Sequence, residues 1–183
     1  YQEFVYLMLH KPQGVVSATT DNLHKTVIDL LQPQDNVFDP FPVGRLDKDT
    51  EGLLILTNDG TLAHNLLSPK KHVDKCYEAI IEGLVDEEDI QAFEEGITLE
   101  DGFKCQSAKL EILSVDREKE ESVIQVTIRE GKFHQVKRMF EAVDKSVRYL
   151  KRLSMGELQL DEALALGDYR PLTKEELDSL TGL

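Results

Sequence analysis

Alternation and clustering of apolar positions divide the chain into short strands and a few helices. Phe4 to Leu9 alternates aromatic and aliphatic side chains and reads as a strand stopped at Lys11-Pro12-Gln13-Gly14. Val15 to Thr19 resumes it. Thr26 to Leu31 reads as a short helix ending before Pro33, with Val27, Ile28, Leu30 and Leu31 on its apolar side. Pro40 and Pro42 impose an extended approach to Val43-Gly44-Arg45-Leu46. Leu53 to Thr57 is apolar throughout, the pattern of a strand buried on both faces.

Beyond the turn Asn58-Asp59-Gly60, Thr61 to Leu67 forms a helix closed by Ser68-Pro69. Lys75 to Glu82 reads as a strand, and Asp86 to Glu95 as a helix capped at Gly96. Phe103 to Gln106, Lys109 to Val115 and Ser122 to Arg129 read as antiparallel strands, the last two joined by the charged hairpin Asp116 to Glu121. His134 to Val143 is the best helix by periodicity, since Val136, Met139, Phe140 and Val143 recur on one face. Thr173-Lys174-Glu175-Glu176 is a capping box that opens a terminal helix. The sum is α+β: a mixed, mostly antiparallel central sheet with flanking helices, forming one domain over residues 1–183 without repeat or linker.

Composition sets the outer bounds. A chain of 183 residues suits one substantial domain or two closely packed lobes. No apolar run, Gly52 to Leu56 included, approaches the length of a membrane span, and the first residues lack the pattern of a signal peptide. A cytoplasmic protein without membrane contact is expected. Cys76 and Cys105 belong to no CxxC pair, so two buried free thiols are expected. The net charge of −14 speaks against nucleic acid, yet it is unevenly spread. Between Arg129 and Arg152 lie eight basic residues (Arg129, Lys132, Lys137, Arg138, Lys145, Arg148, Lys151, Arg152) against three acidic ones. A basic stretch on an acidic body can still attract a polyanion.

Three segments could carry chemistry. Asp47 and Asp49 lie between Gly44 and Gly52, just before the buried strand. Paired carboxylates serve general acid–base or nucleophilic chemistry, but aspartates also satisfy backbone amides in turns, and both readings stand. Arg129-Glu130-Gly131-Lys132-Phe133-His134-Gln135-Val136-Lys137-Arg138-Met139 is not a Walker loop, because Phe133 stands where Ser or Thr is required. It opens a basic helix on which Lys137 flanks the apolar face and Arg138 lies almost opposite. Lys137 is therefore the better placed to reach a buried acid, and Arg138 to face solvent or RNA. Lys75-Cys76-Tyr77 puts a lysine and a tyrosine on the same side of a strand. Tyr77 is either a core aromatic or a platform for a base. His10, His24, His64, His72 and His134 show no metal-ligand spacing, so no metal is expected.

The order of these segments resembles the pseudouridine synthases of the ribosomal small-subunit (RsuA) type. Leu9 to Gly14 resembles the first motif of that family, and Gly44 to Leu56 its catalytic motif. Lys75-Cys76-Tyr77 is similar to its KxY motif, Glu130 to Met139 to its EGxxHQVKRM motif, and Leu150 to Gly156 to its LxRxxxG segment. The resemblance implies the pseudouridine synthase catalytic fold and cofactor-free isomerisation of uridine to pseudouridine in ribosomal RNA. Asp47 would be the nucleophile, Lys137 its ion-pair partner (Arg138 the alternative), Tyr77 the stacking ring and Arg45 the group that positions RNA. Lys11, Lys75, Lys132, His134, Gln135, Arg138 and Arg152 would contact RNA. Ser68 to His72 and His134 to Lys137 look closest to the enzyme acting on small-subunit (16S) rRNA, within a precursor small-subunit particle, as a monomer. A 23S rRNA substrate, a non-catalytic rRNA-binding module of the same fold and an N-glycosidic hydrolase are the alternatives. Family members usually begin with a small basic S4-type RNA-binding domain, and this chain is expected to be the catalytic domain without it.

Overall fold

The protein is described, as a computed structural model, over residues 3–182. Two compact units can be distinguished: one holds the chain up to Val73 and again from Arg152, the other holds Asp74–Lys151.

The first unit is built on the apolar run anticipated after the aspartate loop. Strand β1 (Tyr6–Lys11) pairs antiparallel with β3 (Glu51–Thr57), Leu9 opposite Leu54 and Lys11 opposite Gly52. Strand β2 (Phe41–Val43) pairs with β3, and β9 (Tyr169–Pro171) with β1, both antiparallel. Leu53, Leu54, Ile55 and Leu56 are all fully buried, as a run apolar at every position requires. Met8, Val43, Leu53, Ile55, Leu62, Leu66, Met155 and Leu180 share one core cluster. Helix α1 (Pro33–Asn36) is a single turn. Helix α2 (Gly60–Leu67) starts where the Asp59 carboxylate accepts from the Leu62 amide at 3.1 Å. Asp59 also accepts from the Tyr6 hydroxyl at 2.7 Å. The terminal helix α5 (Lys174–Thr181) has the expected reciprocal cap between Thr173 and Glu176.

The second unit is a hairpin-based sheet. Strand β6 (Glu121–Ile128) pairs antiparallel with β4 (Lys75–Glu82) and β5 (Lys109–Asp116). Burial alternates along β4 and β6, so one face packs and the other stays partly open. Phe93 of α3 (Glu87–Glu95) meets Phe140 of α4 (Gln135–Glu141) with ring centroids 4.9 Å apart. Strand β7 (Ser146–Met155) runs from this unit into the first, where its end pairs with β8 (Leu158–Gln159). The architecture is α+β with mostly antiparallel strands, as expected.

Several elements differ from expectation. Val15 to Thr19 makes no strand; Val16 forms a single bridge with Thr26, because Ser17 turns its hydroxyl to the Leu46 backbone. Thr26 to Leu31 tightens into a 3-10 helix, Val27–Leu30. Phe103 to Gln106 also fails as a strand, keeping one bridge from Lys104 to Thr98, since Asp101 captures the Phe103 amide in a turn. The ten-residue strand β7 was not foreseen, its apolar alternation being interrupted by Arg148, Lys151 and Arg152. Cys105 is buried, but Cys76 only half-buried; neither forms a disulfide.

Candidate active site

In the first unit, the aspartate loop leaves β2 at Val43 and enters β3 at Glu51. Gly44 and Gly52 take φ values of 76° and 117°, a region that L side chains rarely adopt. Gly52 also has no room for a side chain, because a Cβ there would lie 2.2 Å from the Arg152 carbonyl oxygen. The backbone of β7 passes directly against the loop's end.

Two buried cations hold this loop by its backbone carbonyls. The Arg152 side chain, with its residue 1% exposed, donates from Nε to the Leu53 carbonyl at 2.9 Å and from Nη2 to the Gly44 carbonyl at 2.5 Å. Both ends of the loop are thus tied to one rigid, planar guanidinium. Lys11, fully buried at the end of β1, directs Nζ at the carbonyls of Pro12 (3.0 Å), Asp47 (3.0 Å), Lys48 (3.2 Å) and Thr50 (2.9 Å). Burial pushes the Lys11 ammonium down to about 8, against the opposing pull of Asp49, Asp47 and Glu51. Three further bonds finish the frame. Gly14 N–H donates to the Lys48 carbonyl at 2.9 Å, the Ser17 hydroxyl to the Leu46 carbonyl at 2.9 Å, and Thr50 N–H to the Asp47 carbonyl at 3.0 Å.

Within that frame the two aspartates are unequal. Asp47 follows buried Leu46 and is itself half-buried; Asp49 is exposed. Arg45 is exposed too, anchored by Nε at 3.0 Å from the Ser17 carbonyl. A carboxylate on a backbone fixed at both neighbours is a group whose position is settled before any substrate arrives.

The structure therefore corrects two expected RNA contacts. Lys11 and Arg152 spend their N–H groups on buried carbonyls of the loop, so they position the backbone instead of meeting phosphates. A lysine ending an otherwise apolar strand was the one available signal for this. The Ser17 bond to Leu46 had none.

The second unit carries the remaining candidates. Lys75 and Tyr77 do share a side of β4, at 7% and 9% exposure. Lys75 is thus another buried lysine, its Nζ close to Gly131. Gln135 is buried as well. Its side chain accepts from the Lys132 amide at 3.1 Å and donates to Glu130 at 3.1 Å, which closes the loop before α4 instead of reaching RNA. Arg138 is committed to Glu100 at 2.7 Å and Asp101 at 2.8 Å, and to the Phe133 carbonyl at 2.9 Å. Arg138 is thus paired with acids of its own unit. Acids some 37 residues earlier in the chain were not foreseen as its partners. Lys137 is half-buried on the flank of α4, as the helical wheel predicts. Lys132 is exposed, its Nζ 4.5 Å from the centre of the Phe103 ring, and His134 sits in the left-handed region with its ring stacked on Phe133.

With this geometry in view, the likeness to known proteins is informative. The RNA pseudouridylate synthase family matches residues 5–142. A Bacillus subtilis protein described as an uncharacterized RNA pseudouridine synthase, YtzG, is 58% identical over 180 residues, spanning 98% of this chain and 74% of its own length. Ribosomal large subunit pseudouridine synthase B of the same organism is 45% identical, spanning 100% of this chain and 73% of its own. Ribosomal small subunit pseudouridine synthase A of Escherichia coli is 39% identical over 96% of this chain and 73% of its own. Among solved structures, one described as a pseudouridylate synthase superposes with a TM-score of 0.89 at 38% identity, covering 98% of this chain and 75% of that one.

Proposed function

This chain belongs to the RNA pseudouridylate synthase family, and from that premise we propose that it isomerises one specific uridine of 16S ribosomal RNA, acting as a monomer on a precursor small-subunit particle with Asp47 as the catalytic carboxylate. Isomerisation of uridine in RNA is the activity the family shares with the relatives named above. The observation that carries the assignment of Asp47 is the frame around it: buried Lys11 and Arg152 fix the backbone on either side while its own side chain stays half-buried.

The reaction conserves every atom. The bond from the ribose C1′ to N1 of uracil breaks, the freed base turns, and C1′ bonds to C5. N1 gains the proton that C5 loses. Asp47 would attack the ribose or assist departure of the base. Lys137 would be its counter-charge, and Tyr77 would stack on the flipped base, whose extrusion costs a few kcal/mol. Exposed Arg45, two residues before the acid, would hold the strand that loses its base. Lys132 and His134, at the mouth of the loop before α4, would meet phosphates.

The small-subunit target is supported by the likeness of Ser68 to His72 and His134 to Lys137 to enzymes of that specificity, and by the small-subunit relative. A second reading, 23S rRNA, is favoured by the large-subunit relative at 45% identity. A pseudouridine-selective chemical probe separates them when precursor 30S and 50S particles are incubated with the protein. One new site in 16S rRNA is expected, whereas a site in 23S rRNA alone would overturn the small-subunit assignment. Release of free uracil would identify a hydrolase. Asp47→Asn is expected to abolish modification while changing RNA affinity by no more than a few-fold, and retained activity would remove Asp47 from its role. Lys137→Ala should cripple turnover in the same assay.

A further inference from the structure

Phe133 is 74% exposed, in a loop whose backbone is otherwise tightly held. Its carbonyl accepts from Arg138, the Lys132 amide beside it donates to Gln135, and Gln135 in turn donates to Glu130. The next residue, His134, holds a φ of 50°, a left-handed conformation that costs a non-glycine residue about 1 kcal/mol. That conformation lays the His134 ring on Phe133, with centroids 3.8 Å apart and planes 20° apart. One face of the phenyl ring is therefore backed by a second ring, and the side chain remains largely in water. Burying a phenylalanine would contribute about 2 kcal/mol or more to stability, and the fold does not collect it.

A rigid, exposed aromatic face is suited to one class of ligand above others, a planar nucleobase. Every base has a π-face, and removing a base–aromatic stack weakens binding by about 1–3 kcal/mol. Lys132, the preceding residue, is exposed with its Nζ over the Phe103 ring, so a cation lies in the same loop to meet a nucleotide's phosphate. Resting on the reading of this chain as an enzyme of RNA, we infer that Phe133, backed by His134, is a stacking platform for an unpaired base of the RNA substrate other than the reacting uridine. It is a second base-binding position, separate from Tyr77.

Full-length variants test this with protein-free transcribed 16S and 23S rRNA, read by pseudouridine formation in single turnover and by filter retention of the same RNA. Phe133→Ala and Phe133→Leu should each raise the half-saturating RNA concentration roughly tenfold, with the rate at saturation unchanged within about twofold. Phe133→Tyr should stay within about twofold of the parent in both. Unchanged half-saturation in Phe133→Ala would overturn the proposal. So would full rescue by leucine, which would mark an apolar contact such as a protein surface. If the parent forms no pseudouridine in these RNAs or in the precursor 30S and 50S particles, the catalytic reading fails on its own. Filter retention still decides the platform, since weaker retention by the alanine variant supports it and equal retention overturns it.

Discussion

Lys11 shows how one side chain ties chemistry to loop geometry. Its ammonium is surrounded by carbonyl oxygens of the aspartate loop and desolvated enough to bring its pKa down to about 8. Between pH 8 and 10.5 the unfolded chain therefore binds more protons at this position than the folded one. Lys11's contribution to stability must rise with pH across that window, and is least favourable below it. Urea unfolding of the parent against Lys11→Met should show a stability difference that shifts towards the parent from pH 8 to 10.5. Activity should move the opposite way. Above about pH 8 the neutral amine has one N–H fewer for the loop, so turnover at saturating RNA declines. Lys11→Arg should flatten that limb, and an unaltered limb would detach it from Lys11. The glycines make a complementary test. At Gly52 a methyl group meets the Arg152 backbone and the φ is left-handed, so Gly52→Ala should cost at least about 3 kcal/mol. At Gly44 the nearest obstacle is the flexible Met155 Cε at 2.6 Å, and Gly44→Ala should cost about half as much. Chemical denaturation gives both values.

At the scale of elements, local capping and burial patterns explain where helices and strands begin and end. Asp86 and Asp89 cap α3 reciprocally, with bonds of 3.1 and 3.2 Å, and Asp89 also pairs with Lys145 at 3.0 Å. Asp86→Ala should therefore cost about 1 kcal/mol, read as a lower urea midpoint without change in the denaturant slope. This helix, α5 and the buried strand β3 were legible from three local signals: an acid or hydroxyl three residues ahead of its reciprocal partner, a glycine past the end, and an unbroken apolar run. The misses share a cause. Val15 to Thr19 and Phe103 to Gln106 have strand-like side chains, but their backbone groups are claimed by distant or turn partners, Arg45 and Asp101. Strand β7 hides for the opposite reason. Its Arg152 sits in a buried position because carbonyls elsewhere in the chain accept from it, and no periodicity rule allows for that.

At the scale of the whole chain, the charge of −14 and the paired state of many cations bear on how RNA is gripped. Arg129 is paired with Asp74, Arg138 with Glu100 and Asp101, Lys145 with Asp89, and Arg148 with Glu121. The basic stretch therefore neutralises the protein's own acids before it can neutralise phosphates. The slope of log affinity for rRNA against log salt between 50 and 200 mM should be shallow, of magnitude about 4 or less, and a slope near 8 would mean these pairs open on binding. The sequence by itself determined the α+β class, the helix caps, the buried strand after the aspartate loop, and the candidacy of Asp47, Lys137 and Tyr77. All of these rest on local pattern or on ordered motifs. Only the tertiary structure decided which cations face solvent and which face the protein, because a lysine or arginine reads alike in sequence whether its donors meet water or carbonyls brought from 39 to 108 residues away. It likewise gave Asp47 and Asp49 their different burial, since burial depends on how the loop is folded over Lys11 and Arg152 and not on the identity of the two residues.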